Sequence, residues 1–441
     1  MEEPMVKRAI ALGGGGPAAG LHIGVLEALA AHNITFDVWA LSCIGAWVGI
    51  VYNQFGDEIE DKKVENKDRA ELTYQFFKNG VFRDDESYAR FPINTVFGPD
   101  WRSNIKALNN FVTDRDNYKD FLWDPYRMMD VFQDSMKILF DQLPDRDQKK
   151  KFTKLDEGDF NRWILNQAMA TNPFVRYLTS MMYLSNVNGL SRINYPASEF
   201  MKGINFEELK KNGKPHIYHN AWNLDEQKLA LFSNREMKNT KEEYKGPIDA
   251  STLCACSALP FIEGTVEIDR VTYCEGALVD TVNFESLLQE HQDLEEIWVS
   301  RIVDSKQIRK PENLHDALAN LCQLFAATVG EDDVKLFKYH VRSEKDKNRK
   351  RTIVEIRVPG HINFKWNHSN LENGRELGRA AGKQAIKAYK EHAKLKSHPG
   401  PHFINENPEE KDKTGWQTLL KKHDECVKRA AVQSEGKAAA P

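Results

Sequence analysis

The stretch VWALSCIGAWVG, Val38 to Gly49, sets Ser42 beside Cys43 where a strand pattern runs into a helical one. Both side chains are nucleophiles. A residue held on a sharp strand-to-helix turn stands above its sheet with backbone amides beside it, the arrangement that acyl transfer uses. Four glycines, Gly13 to Gly16, end an earlier apolar run and open another helical pattern. Amides at such a helix N-terminus can hold a phosphate or a developing oxyanion. For the phosphate reading, Gly13, Gly15 and Ala18 give a loose dinucleotide fingerprint, with Asp37 near the position of its ribose-binding acid. The oxyanion reading needs a nucleophile nearby, and the second junction supplies one.

Small residues must flank the attacking group. Cys43 in that role has Leu41 and Gly45 on either side, and Ser42 has Ala40 and Ile44, so the local residues leave both frames open.

The elements that would carry these turns can be read from the spacing of apolar residues. KRAIALGGGG is a strand, Arg8 to Leu12, stopped by glycine; GLHIGVLEALAAHN is helical; FDVWALS and GAWVGIVYNQF repeat the pair. This β-α-β-α order predicts an α/β fold with a mostly parallel central sheet and helices on its faces. Residues 57–209 read as a large helical insertion, strands resume over 210–395, and 396–441 reads as a tail with one amphipathic helix, Trp416 to Val432. The first part of the α/β domain is then 1–56. Aromatic and methionine clusters in the insertion, such as FQDSMKILF and NPFVRYLTSMMYL, have core spacing, with a lid or acyl-chain groove as the functional alternative.

Composition narrows the function. With 441 residues, 41% hydrophobic and 29% charged, the chain is apolar enough to fold, and its net charge of −4 excludes counterion-driven binding of nucleic acid. The N-terminus lacks a secretory pattern, and no apolar run reaches the roughly 18 residues of a membrane span. Six cysteines, Cys43, Cys254, Cys256, Cys274, Cys322 and Cys426, are too sparse for a disulfide scaffold. The expectation is a cytoplasmic protein with free thiols, in peripheral contact with a membrane or lipid surface at most. Cys254, Cys256 and Cys274 fall short of four zinc ligands, so no metal and no cofactor is expected.

A distant segment, ASTLCACSALPFIEGTVEIDRVTYCEGALVDTVNF, Ala250 to Phe284, bears on the frame. With it, the chain resembles the patatin-like phospholipase family. GGGGPAAGLHIGVLEAL matches that family's glycine-rich oxyanion loop, LSCIGAW its Gly-x-Ser-x-Gly-Ala elbow, ACSALPF its Ala-Ser-x-Ala-x-Pro segment and CEGALVD its Asp-Gly-Gly or Asp-Gly-Ala motif, in the same order. The match covers about Lys7 to Phe55 and, more loosely, Lys214 to Tyr389.

The resemblance implies a patatin-like three-layer fold and a dyad without histidine. Gly45 and Ala46 fix the frame, so Cys43 stands where the family has serine and Glu275 where it has aspartate. Gly14, Gly15 and Gly16 take the oxyanion hole, and Ser42 falls on a neighbouring position where it hydrogen-bonds the turn. Leu41 replaces the first elbow glycine, and Ala18 stands where a basic residue usually follows the glycines. His22 matches a histidine of the family's HIG helix, although a lone histidine there is more often a packed residue. Asp280, just past the Glu-Gly-Ala motif, is a substitute acid at a less suitable spacing. A cysteine at a helix N-terminus is expected to have a lowered pKa, with Glu275 accepting its proton.

The function implied is that of an acyl hydrolase or acyltransferase acting on lipid esters or thioesters. The alternative is a catalytically inactive relative that binds acyl chains or a lipid surface. The oligomeric state is not legible in the sequence.

Overall fold

The computed structural model describes residues 6–56, 58–59, 62–63, 65–90, 96–99, 101–113, 188–193, 198–303, 308, 310–312, 314–343, 351–358, 362–394 and 401–406. The proposed helix Trp416 to Val432 and most of the expected insertion lie outside them.

Contacts divide the chain into two compact units, one of Met1–Gly98, Ile193–Leu259 and Thr265–Pro441, the other of Pro99–Arg192 and Pro260–Gly264. In the second unit, Phe261–Glu263 pairs in parallel with Gly189–Ile193, and Ser191 Oγ donates to the Ile262 carbonyl at 2.9 Å. A helix, Trp101–Thr113, belongs to the same unit.

The first unit is built on a sheet of ten strands: β1 Arg8–Leu12, β2 Val38–Leu41, β3 His216–Asn223, β4 Lys228–Ser233, β5 Glu243–Pro247, β6 Val266–Ile268, β7 Val271–Glu275, β8 Glu296–Arg301, β9 Thr352–Arg357 and β10 His402–Ile404. Their order is β6-β7-β3-β2-β1-β8-β9-β10, with β4 on the other edge of β3 and β5 beyond it. Strands β3, β2, β1, β8, β9 and β10 run parallel, while β6, β7 and β4 pair antiparallel. The sheet is therefore mostly parallel with an antiparallel flank. VWAL and EIWVSR are buried along their whole length, as expected of interior strands covered on both faces.

Helix α1 Ala19–Ala30 follows the glycine loop and α2 Ile44–Gln54 follows β2. Helix α3 Asn66–Gly80 buries Ala70, Tyr74 and Phe77 in the core of this unit. Within the span 57–209, α3, Phe200 and Met201 share the core cluster of the sheet's own helices. Further helices of this unit include α4 Ala250–Ala255, α5 Phe284–Glu290, α6 Leu314–Ser343 and α7 His368–Lys394.

Helices α1 and α7 meet through glycine. A methyl group built on Gly24 would lie 1.9 Å from the Arg375 carbonyl oxygen, and one on Gly378 2.0 Å from that of Leu21. Only the bare backbone permits this approach. Glu27 then accepts hydrogen bonds from Arg375 Nε and Arg379 Nη2, each at 2.9 Å.

The segment after residue 396 differs from the expected tail. Strand β10 extends the sheet beside β9, Ile404 is buried, and Glu406 pairs with Arg342 at 2.8 Å. HFI is too short to stand out in the sequence, yet it satisfies the outer edge of β9.

Candidate active site

Ser42 and Cys43 lie between β2 and α2. The Ser42 amide donates to the Leu12 carbonyl at 3.0 Å, which ties this turn to the end of β1. Cys43 then adopts φ 47 and ψ −126, a left-handed conformation that costs a non-glycine residue on the order of 1–3 kcal/mol. The strain turns the chain sharply into α2. Gly45 is obligatory here, because a Cβ on it would sit 2.2 Å from the Leu12 carbonyl oxygen.

The acid arrives from the other side of the same strand edge. Along β3, Leu41 pairs with His219 and Glu275 with Ala221, while β2 runs parallel and β7 antiparallel to it. The two strands therefore point their C-terminal ends at each other across Asn220. The Glu275 amide is held by the Ala258 carbonyl at 3.0 Å, so the ACSALP segment fixes the acid's backbone. Cys256 Sγ donates weakly to the Cys43 carbonyl at 3.9 Å.

This convergence brings the Cys43 thiol and the Glu275 carboxyl close enough for each to shift the other's ionisation. Gly14 completes the group: a Cβ there would be 3.1 Å from Cys43 Cβ and 3.6 Å from Glu275 Oε1. Gly13 lies against Thr281, and Gly16 has φ +57 in front of the Phe364 ring. The glycine loop, the elbow and the acid thus come together. Cys43 is 8% and Glu275 6% exposed.

Burial sets the electrostatics. Desolvation, then the neighbouring carboxylate, pushes the Cys43 thiol well above the usual range, against a smaller lowering by the Ile44 amide. The expected lowering by the helix N-terminus is overridden, since a buried thiolate beside a carboxylate loses more solvation than one amide restores. Burial also raises Glu275 to about 7, with the Cys43 thiol pulling the other way. A base at that value is matched to neutral pH.

His22 lies apart from the dyad. It is fully buried, with Nε2 2.9 Å from the Gly13 carbonyl and Nδ1 3.0 Å from Ser300 Oγ. Burial lowers it to about 4, so the ring is neutral. Its place is beneath the glycine loop, which it anchors through Gly13.

Ser42 turns away from the dyad and donates to the Thr281 carbonyl. Asp280 also turns away: its Oδ1 accepts from the Val282 and Asn283 amides at 3.0 and 2.6 Å. Burial raises its pKa, as it does that of Asp333, whose Oδ2 accepts from the Thr281 amide at 2.8 Å.

Asn283 and Thr281, which carry no motif signal of their own, prove to be hubs. Asn283, at φ 53, donates from Nδ2 to the Leu41 carbonyl at 2.9 Å. The run of Thr, Val and Asn after the acid motif offered only turn chemistry as a clue. Beside the site, α6 carries Cys322, which burial and the Glu275 charge raise. It also presents Leu321, Leu324 and Phe325, 49%, 46% and 54% exposed, at helical spacing.

Among the described residues no three His, Cys, Asp or Glu side chains form a metal-binding group, and no helix is long and apolar enough to cross a membrane.

A split, mostly parallel sheet that brings an elbow, a glycine loop and a carboxylic acid together defines an α/β acyl-transfer scaffold. Comparison with known proteins gives the family: the patatin-like phospholipase family matches residues 10–288, and the chain belongs to it. That family is one of lipid acyl hydrolases. No curated protein matches the sequence. Among solved structures, VipD from Legionella pneumophila is similar over 98% of this chain and 77% of its own, at 12% identity and a TM-score of 0.34.

Proposed function

We propose that the chain is a lipid acyl hydrolase or acyltransferase in which Cys43 is the nucleophile, Glu275 the general base, and the amides of Gly14, Gly15 and Gly16 the oxyanion hole. The observation that carries this reading is the strained Cys43 backbone at a turn that brings its thiol, the Gly14 backbone and the buried Glu275 carboxyl together. Strain of this kind persists where the surroundings over-determine it, and it clusters at working sites.

As the Cys43 sulfur bonds to the acyl carbon, its proton passes to Glu275 and the carbonyl oxygen takes the negative charge toward the glycine amides. When the tetrahedral species collapses, the bond to the leaving group breaks and that group takes the proton back from Glu275. Water, or an amine or thiol acceptor, then attacks the acyl-Cys43 thioester while Glu275 again removes the proton, and the thiol is restored. No metal or cofactor enters this cycle. The half-exposed Leu321, Leu324 and Phe325 give a lipid-facing surface beside the site, consistent with peripheral contact with a membrane in the cytoplasm.

A second reading has an observation of its own. The thiol is pushed far up by burial, which favours an inert site that only binds acyl chains. Mass spectrometry of protein incubated with an acyl thioester separates the two: acylation of Cys43 supports catalysis, and an unmodified Cys43 with bound acyl chain supports the inactive relative.

A further inference from the structure

At the opposite end of the sheet, where β1, β2 and β3 begin, lies an open cavity of about 500 Å³. The strands separate it from the elbow by roughly 17 Å, the length of β1. Its lining includes four cations, Lys7, Arg69, Lys214 and Arg235, and, among the described residues, Asp37 is its one carboxylate. Asp37 is already engaged, accepting the Arg8 amide at 2.8 Å.

The cations do different work. Lys7 pairs with Asp293 at 2.7 Å. Lys214 pairs with Glu208 at 3.2 Å and holds the carbonyls of Asn53 and Phe55. Arg235 is exposed, and its guanidinium donates to the Lys214 carbonyl without a carboxylate in ion-pair reach among the described residues.

Between these cations stand two histidines, His216 and His291, with Nδ1 of the first 2.7 Å from Nε2 of the second. Ser233 Oγ donates to the Ile217 carbonyl at 3.1 Å, so it accepts from His216 Nε2, 2.8 Å away. His216 Nδ1 is then an acceptor, and His291 Nε2 donates to it. Both rings are neutral: His216 is lowered to about 3 and His291 to about 4, by burial first and then by each other or by Lys7 and Arg235. Two neutral imidazoles flanked by Lys7 and Arg235 mark a region of positive potential.

The lining also includes the apolar side chains of Leu26, Ile34, Phe36 and Trp39. A pocket lined by both cations and apolar, aromatic side chains selects for anions attached to an apolar body, and a guanidinium matches phosphate oxygens in two-pronged geometry. We propose that this cavity binds a small molecule carrying a phosphate group next to an apolar or aromatic portion. The site is distinct from the acyl-transfer machinery and does not depend on its chemistry.

The test is calorimetric titration of the full chain with three probes: pyrophosphate, adenosine 5′-monophosphate, and dihexanoyl phosphatidic acid below its micelle concentration. Arg235→Glu and Arg69→Gln are titrated alongside, each checked for an unchanged melting profile. Binding of at least one of the two organic phosphates, weakened ten-fold or more in Arg235→Glu, is expected. Preference for the nucleotide identifies a soluble phosphate ligand, and preference for phosphatidic acid a lipid headgroup. No binding by any probe, binding of pyrophosphate alone, or equal binding in wild type and both variants overturns the proposal. None of these readouts requires hydrolase activity.

Discussion

Asn283 reaches back across 242 residues of sequence to donate a 2.9 Å hydrogen bond to the carbonyl of Leu41, the last residue of β2. Ser42, the next residue along, reaches in the reverse direction to the Thr281 carbonyl. These two reciprocal bonds hold the elbow against the loop that follows Glu275, and they leave Ser42 Oγ committed to the backbone. Cys43→Ala should therefore abolish turnover, whereas Ser42→Ala should retain most of it while lowering stability by about 1–2 kcal/mol, the usual cost of a buried carbonyl left without a donor. Turnover of a p-nitrophenyl acyl ester and urea unfolding check both halves. Activity surviving in Cys43→Ala but lost in Ser42→Ala would reverse the assignment.

The rate should follow the ionisation of Glu275. In the proposed cycle the carboxylate is the base, and burial raises its pKa to about 7, so kcat/KM should climb about ten-fold per pH unit below 7 and level off above it. In Glu275→Gln the climb should vanish, with a loss of at least about 100-fold on the plateau. A wild-type profile flat from pH 5 to 9 would argue against this acid.

The same shift makes a stability statement with the opposite pH sense. A carboxyl whose pKa rises from 4.5 to about 7 on folding binds its proton more tightly in the native state, so stability falls as pH rises between those values. Above 7 the full penalty, on the order of 3 kcal/mol, is present. Glu275→Gln lacks this penalty and should be the more stable protein at pH 8, with the difference shrinking toward pH 5. Thermal unfolding of both proteins across that range reads it directly.

In the proposed cycle the Cys43 sulfur should select the leaving group. When a thiolate adds to an oxyester, the intermediate expels the thiolate more readily than the alkoxide, and among the described residues Glu275 is the acid beside Cys43 to return a proton. His22 is held by Gly13 and Ser300 with its pKa lowered to about 4, and it offers no proton to the reaction. Matched acyl thioesters should therefore exceed oxyesters of the same chain in kcat/KM, by about ten-fold or more. Equal values, or a preference for phospholipid esters, would defeat the leaving-group argument.

Ending the chain at Lys396 should destabilise it. That cut removes β10, which pairs along Thr352 to Val354, and Glu406, which meets Arg342 and the buried Lys338. Removing the carboxylate leaves Lys338 with fewer partners in a 2% exposed position. A fall of several degrees in melting temperature, or loss of soluble protein, is the expected result. An unchanged melting curve would show that the edge strand contributes little.

Much of the scaffold was legible because its signals are local. RAIAL before four glycines and VWAL before the elbow are apolar runs cut by residues that cannot continue a strand, and both junctions stand where that reading put them. The approach of Glu275 was not legible: whether β7 meets β2 end to end depends on pairing with β3, a contact between segments far apart in sequence. The thiol's electrostatics were misjudged for a related reason. Helix position can be read from residue order, but depth beneath the surface cannot, and depth governs Cys43. HFI, three residues at a sheet edge, has too little pattern to separate it from loop.

The glycine seam between α1 and α7 has a consequence for how the protein is made. The loop Gly13 to Gly16 is made long before α7, yet the helix it opens rests on Leu371, Arg375 and Gly378. A nascent chain lacking those residues has no partner for the bare face of α1, and the long loop between them must close before the seam can form. The helix that carries the glycine loop is therefore seated only once α7 has docked against it, so the loop and a segment more than 300 residues away take their places in one folding step.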